Sequence, residues 1–176
     1  PLYLISLGLV GCGNAKTELD IVLPTETRPN ILLIVADDLG YSDIGAFGGE
    51  ISTPNLDALA AGGLKMSNFY AAAACSPSRT MLLGGVDSHV GGMGTKFNDQ
   101  ASNQLGQPGY EGYLNNNVVT VSSLLQDAGY HTYMTGKWHL GYDDDQSPAA
   151  RGFERSYALL QGGGGHFDDA ASTTDH

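Results

Sequence analysis

A continuous apolar run that ends in two adjacent carboxylates constrains the fold of this chain more than any other feature. The run is Ile31–Val35, and Asp37 and Asp38 follow it after a single alanine. Because its apolar residues do not alternate with polar ones, the run predicts a β-strand buried on both faces, which is typical of a parallel sheet covered by helices. Sites in such sheets lie just beyond the strand ends, so the two carboxylates mark a candidate site.

Helix and strand signals alternate along the rest of the chain. Three segments have helix caps or helix-ending glycines: 52–62, a short helix that opens at Cys75, and Val121–Ala128, which Thr120 caps and Gly129 closes. Two further apolar segments predict strands: Leu64–Tyr70 and Tyr130–Met134. Residues 84–117 are rich in Gly, Asn and Gln and predict a long loop, and residues 173–176 predict a polar tail. The alternation predicts an α/β fold with a mainly parallel sheet.

The charge balance limits the classes of ligand that the chain can bind. Its 176 residues include 19 Asp and Glu but only 8 Lys and Arg, which gives a net charge of −11. This balance argues against non-specific binding to nucleic acid, because phosphates require a basic surface. An anionic substrate would require cations concentrated at its own site, since the rest of the chain repels it.

The N-terminal residues predict a lipoprotein signal followed by a tether. The apolar residues 2–10 are too few to cross a bilayer and suit a signal-peptide core, and Leu9-Val10-Gly11-Cys12 resembles a bacterial lipoprotein box. We therefore expect residues 1–12 to be the signal, Cys12 to carry the lipid, and the polar residues 13–27 to be a tether. This predicts an exported protein held in the bacterial cell envelope, at the outer membrane or in the periplasm. The alternative is a buried first strand with an incidental cysteine.

Two clusters carry groups that suit a metal or a nucleophile. Asp37 and Asp38 offer hard oxygen ligands, which suit Ca²⁺ or Mg²⁺ better than zinc, although a double Asp on its own is more typical of a turn or helix cap. Cys75 lies at a predicted helix start, where the helix dipole favours negative charge, and Arg79 follows one turn later. If Cys12 carries lipid, Cys75 has no partner for a disulfide. On its own, such a cysteine is most often a small buried apolar residue.

A third cluster offers a cation and a base together. Lys137 and His139 stand two residues apart after a predicted strand, so an extended backbone would point both side chains to the same face. Histidine titrates near neutral pH and lysine stays charged, which suits acid–base work on an anion. On its own, this pair is equally consistent with a surface loop.

Taken together, three blocks in this order resemble the sulfatase family, and most closely the bacterial arylsulfatases. The blocks are Arg28–Gly40 (RPNILLIVADDLG), Cys75–Arg79 (CSPSR) and Gly129–Gly141 (GYHTYMTGKWHLG). The resemblance implies an alkaline-phosphatase-like α/β fold with a mixed, mainly parallel sheet flanked by helices and incomplete at its C-terminal side. It covers residues 28–176, which we interpret as the N-terminal part of a sulfatase domain.

The resemblance also implies a reaction. In the family a maturation enzyme oxidises the motif cysteine, here Cys75, to Cα-formylglycine, and one hydroxyl of the aldehyde hydrate attacks the sulfate sulfur. Asp37 and Asp38 would hold a Ca²⁺, with Mg²⁺ as the alternative ion, that binds the sulfate oxygens. The substrate would be a small sulfate ester or a sulfated glycan.

Three basic residues take the remaining roles that the resemblance implies. Arg79 would steady the formylglycine hydrate, Lys137 would balance the charge on the hydrate and the sulfate, and His139 would be the base that helps to eliminate sulfate. His166 lies in a glycine-rich stretch, and we interpret it as a loop residue near the pocket wall rather than as a catalytic group.

Two alternatives to a sulfatase stay open. A phosphonate or phosphate ester hydrolase of the same superfamily would carry the same motifs, because the motifs do not distinguish the anions. An inactive surface lipoprotein is the second alternative, because the family's second metal pair, its further lysine and its leaving-group histidine do not follow His139 in a matching motif. For the 176-residue chain by itself we therefore expect no sulfatase activity and low stability.

Overall fold

The computed structural model describes residues 28–164 and 173–175. The chain divides into two units, Pro1–Val35 and Ala36–His176, and every helix and strand of the described residues belongs to the second. The predictions of a signal over residues 1–12 with a lipid on Cys12, of a tether over 13–27 and of a wall position for His166 lie outside the described residues. None of the described helices is long and apolar enough to cross a membrane.

Three α-helices form among the described residues, at the positions that the sequence predicts. They are α1 (Pro54–Gly62), α2 (Cys75–Gly84) and α3 (Val121–Asp127). The Thr120 side chain accepts a hydrogen bond from the Ser123 backbone N–H, which satisfies one of the free donors at the start of α3. Gly85 follows the last residue of α2, and its φ of 64° permits its N–H to bind the Met81 carbonyl. The three helices agree with the predicted ones within a residue or two, although no side chain caps the start of α1.

The sheet of the described residues has three strands and is mixed, as predicted. Its order is β1 (Tyr133–Lys137), β2 (Arg155–Leu159) and β3 (Thr173–Asp175), with β1 parallel to β2 and β3 antiparallel to β2. Strand β1 starts three residues later than predicted, because residues 130–132 are used to turn the chain out of α3 and Tyr130 N–H still binds the Leu125 carbonyl. The sequence analysis missed β2, and the expected polar tail at 173–176 contains β3.

Two predicted strands are wrong. Residues 31–35 and 64–70 belong to no strand, and their large apolar side chains are exposed, from 45% for Val35 to 84% for Leu32 and Leu64. An apolar run becomes a strand only when neighbouring strands supply hydrogen-bond partners to its backbone. Among the described residues only β1, β2 and β3 pair with one another, so these runs have no such partner.

The buried core lies against β1, β2 and the long loop. Trp138 and Leu140 are almost fully buried just beyond β1, and the indole N–H of Trp138 donates to the Gln146 carbonyl at 2.9 Å. Leu114, at the end of the predicted loop, packs in the same cluster, and its N–H donates to the Leu140 carbonyl at 2.9 Å. Apart from Gly84, which ends α2, residues 84–117 are thus a loop, as predicted, but one whose end packs into the core.

A buried arginine ties the end of this loop to the turn before β2. The Arg151 guanidinium donates to the Asn116 side chain at 2.6 Å and to the carbonyls of Asn115 and Val118 at 3.0 and 2.7 Å. Its own carbonyl accepts hydrogen bonds from the hydroxyls of Thr120 and Ser122. One residue therefore satisfies polar groups from both the loop end and the start of α3.

Replacing Arg151 by Met should lower the free energy of unfolding by about 3 kcal/mol, because the carbonyls of Asn115 and Val118 would lose the hydrogen bonds that Arg151 donates. The exposed Arg155 of β2 offers a matched control, and Arg155→Met should change the free energy by less than about 0.5 kcal/mol. Urea unfolding followed by the fluorescence of the single Trp138 measures both. Equal effects of the two substitutions would refute the structural role of Arg151.

Candidate functional site

The Asp37 carboxylate is the point at which three distant segments meet. Asp37 comes shortly after residues 31–35 in the sequence. One oxygen of its carboxylate accepts a hydrogen bond from the Lys137 ammonium at 2.8 Å. Its other oxygen lies 3.4 Å from the Arg79 guanidinium. Lys137 ends β1 and Arg79 lies one turn into α2, so the structure brings together residues from all three blocks of the sequence.

Arg79 also fixes the end of β1. Its second guanidinium nitrogen donates to the Lys137 carbonyl at 2.5 Å, so it contacts both the backbone of the strand and the carboxylate that the strand's lysine binds. Gly136, within β1, has φ of 108°, a backbone conformation that favours glycine. The side chains of Arg79 and Lys137 are only 13% and 12% exposed, whereas that of Asp37 is 44% exposed.

These contacts shift the protonation of both partners towards their charged forms. The hydrogen bond from Lys137 is the main cause that holds the pKa of Asp37 below its ordinary value, with Arg79 acting in the same direction. Burial is the largest single influence on Lys137 and lowers its pKa, but the contacts with Asp37 and Cys75 together outweigh it, so the pKa of Lys137 is raised overall. Because the folded pKa of Asp37 is depressed, this stabilisation is present above about pH 3.8 and is lost as the pH falls through the folded pKa.

Asp37, Asp38 and Cys75 form a group that fits a metal ion. One possible ligand atom from each lies within 4.8 Å of the others. Asp38 has φ of 56°, a left-handed conformation that is uncommon for residues other than glycine and is typical of constrained functional sites. Two carboxylates at this spacing are the donor type that Ca²⁺ and Mg²⁺ prefer, so the residues present fit a hard divalent cation. Cys75 is a free, half-buried thiol at the start of α2.

His139 lies two residues beyond β1, and its backbone is also left-handed, with φ of 58°. Its N–H donates to the Leu160 carbonyl at 3.1 Å, and its Nδ1 atom is buried with no hydrogen-bond partner among the described residues. Burial is the main cause that lowers the pKa of His139, and neighbouring positive charges lower it further. The imidazole is therefore neutral at pH 7.

The structure describes the position of each predicted catalytic and metal-binding residue from Asp37 to His139. The structure groups Asp37, Cys75, Arg79 and Lys137 by direct contact or close spacing, and His139 lies within their electrostatic field. The sequence analysis missed Lys96, whose charge also lowers the pKa of His139. No motif marks Lys96, because it lies in a loop whose course through space cannot be read from its composition.

Comparison with known proteins finds a sulfatase family model and sulfatase relatives. The family model described as Sulfatase matches residues 29–169. An uncharacterized sulfatase of Schizosaccharomyces pombe is 52% identical over 143 residues, which are 80% of this chain and 26% of that protein. An arylsulfatase of Klebsiella aerogenes is 46% identical over 145 residues, 82% of this chain and 31% of that enzyme. The chain therefore spans less than a third of the length of these relatives.

Solved structures of similar proteins confirm the predicted fold class. The crystal structure of Ps i-CgsB matches with a TM-score of 0.69 and 38% identity over 80% of this chain and 30% of that one. The PsFucS1 sulfatase from Pseudoalteromonas sp. matches with a TM-score of 0.62 and 32% identity over 77% of this chain and 26% of that one. With the three sequence blocks gathered around Asp37 and the family match over residues 29–169, the chain belongs to the sulfatase family.

Proposed function

We propose that this chain forms part of the catalytic centre of an arylsulfatase-type sulfuric ester hydrolase. The observation that carries the proposal is the placement of a free thiol, two carboxylates and two nearly buried cations around Asp37. A sulfate ester is an anion, and Arg79 and Lys137 concentrate positive charge at one point of a chain whose net charge is −11.

Cys75 is the residue that we propose to be converted to formylglycine by a maturation enzyme. It opens α2, it lies in the sequence CSPSR, and it is close to both Asp37 and Lys137. Members of the family generally use a formylglycine and a divalent metal. When present, the hydrated aldehyde would supply the nucleophilic oxygen, and a Ca²⁺ held by Asp37 and Asp38 would bind and polarise the sulfate oxygens.

The basic residues of the chain would then orient the substrate and move protons. Lys137 keeps its charge over the whole neutral range because its pKa is raised, so it can offset negative charge beside position 75. Arg79 contacts both the end of β1 and Asp37, and so fixes the position of the Lys137 charge. His139 is neutral at pH 7, and it can take the proton that must leave when sulfate is expelled.

The relatives and the charge of the site support a proposal for the substrate class. An arylsulfatase is among the similar proteins, and another of the similar structures is Ps i-CgsB in complex with k-i-k-neocarrahexaose. We propose that this protein acts on an aryl sulfate or a sulfated glycan.

Mass spectrometry of the Cys75 peptide tests the modification. In a host that contains the maturation enzyme, the peptide should weigh about 18 Da less than its thiol form, because an aldehyde oxygen replaces the thiol. Cys75→Ala removes the modified residue and should abolish hydrolysis of an aryl sulfate by the protein purified from its host, without unfolding it. An intact thiol in such a host, or faster cleavage of the matching aryl phosphate than of the sulfate, would contradict the proposal.

We also propose that the protein is exported and anchored to the cell envelope through a lipid on Cys12. The supporting observations are the apolar residues before it and the lipoprotein-box sequence Leu9-Val10-Gly11-Cys12. Each buried CH₂ of an acyl chain contributes about 0.8 kcal/mol, so several chains hold a protein firmly. Cys12→Ser should move the protein from the membrane fraction to the soluble fraction, whereas Cys75→Ser should leave it in place. Retention of the Cys12→Ser variant in the membrane fraction would refute the anchor.

A further inference from the structure

The backbone of Gly162 lies directly against the imidazole of His139. A β-carbon built on Gly162 would lie 2.5 Å from Cε1 and 2.6 Å from Nε2 of that ring, and 3.1 Å from its Nδ1 atom. Separations under 3.0 Å are not compatible with van der Waals packing, so a side chain at this position would displace the ring. Gly162 is not among the glycines with positive φ, which means that space rather than backbone conformation requires a glycine here.

The ring has little freedom to move away from a larger neighbour. Trp138 and Leu140, on either side of His139, are 1% and 0% exposed and anchor the backbone in the core. The N–H groups of Trp138 and His139 donate to the carbonyls of Leu159 and Leu160, so the chain that leads to Gly162 is hydrogen-bonded to the chain that carries the ring. Moving the backbone of His139 would break these contacts, so we expect rotation of the imidazole to relieve the clash.

The orientation of the His139 ring determines where its two nitrogen atoms lie. Nδ1 is buried without a hydrogen-bond partner among the described residues, and Nε2 lies against the bare face of Gly162. Rotating the ring would move both nitrogen atoms away from these positions. Gly163, the next residue, has nothing within 4 Å of an added β-carbon, so the close packing is specific to Gly162.

We infer that Gly162 is a positioning residue that sets the orientation of the His139 imidazole. Its role in turnover rests on the proposed function, in which His139 is the base that helps to expel sulfate. The packing itself does not depend on that function, so the two can be tested separately.

The imidazole signals of the chain test the packing. In the protein purified from its host, proton–nitrogen correlation spectra show the histidine ring signals, and His139→Gln identifies those of His139 by their loss. Gly162→Ala should shift the His139 ring signals, and the matched Gly163→Ala variant should leave them unchanged. Unchanged His139 signals in folded Gly162→Ala would overturn the inference.

Folding and turnover complete the test. If Gly162→Ala fails to fold, the double variant His139→Ala, Gly162→Ala should regain the fold, because removing the ring removes the clash. Failure to regain the fold would overturn the inference.

In the protein purified from its host, Gly162→Ala should lower kcat about tenfold or more on an aryl sulfate with less than about twofold change in KM, while Gly163→Ala keeps normal kinetics. Shifted ring signals with normal kcat would support the packing and instead contradict the role of His139 in the proposed function.

Discussion

Asp37 is the carboxylate that the cations of the site share, and the arrangement of the site depends on it. Arg79 and Lys137 are nearly buried, and a buried cation without a partner would lose much of its hydration free energy without compensation. Asp37 offers one oxygen to each of them, across sequence separations of 42 and 100 residues. The same carboxylate lies within reach of Asp38 and Cys75, so charge pairing and the proposed metal binding would use the same residue.

The parallel pairing of β1 with β2 fixes the backbone position of Lys137, which belongs to this cluster. The hydrogen bonds continue beyond the strands through Trp138 and His139, so the segment that carries Lys137 and His139 has a fixed course. Burial of Trp138 and Leu140 on either side of His139 holds that course in the core. A left-handed residue such as His139 is unfavourable by itself, and it persists because its neighbours are anchored on both sides.

The sequence predicts the parts of this structure that depend on local chemistry. Thr120 and Gly85 cap helices as their residue types favour, and polar clusters at the end of a strand and at the start of a helix do meet in space. The strand predictions for Ile31–Val35 and Leu64–Tyr70 are wrong because pairing is a property of neighbours and not of the run itself. The contact of Gly162 with His139 was beyond sequence reasoning for the same reason, since it depends on where two separate segments lie in space.

A double-mutant cycle between Asp37 and Lys137 tests the central claim most directly. Asp37→Asn, Lys137→Met and the double variant are compared by free energy of unfolding, with a chelator present so that no bound cation contributes. The account predicts a coupling of about 1 kcal/mol, because one partner is nearly buried and the other partly exposed. The exposed pair Lys96–Asp99, at 3.0 Å, is the matched control and should show no coupling beyond experimental error. A coupling between Asp37 and Lys137 as small as that of the control would contradict the account.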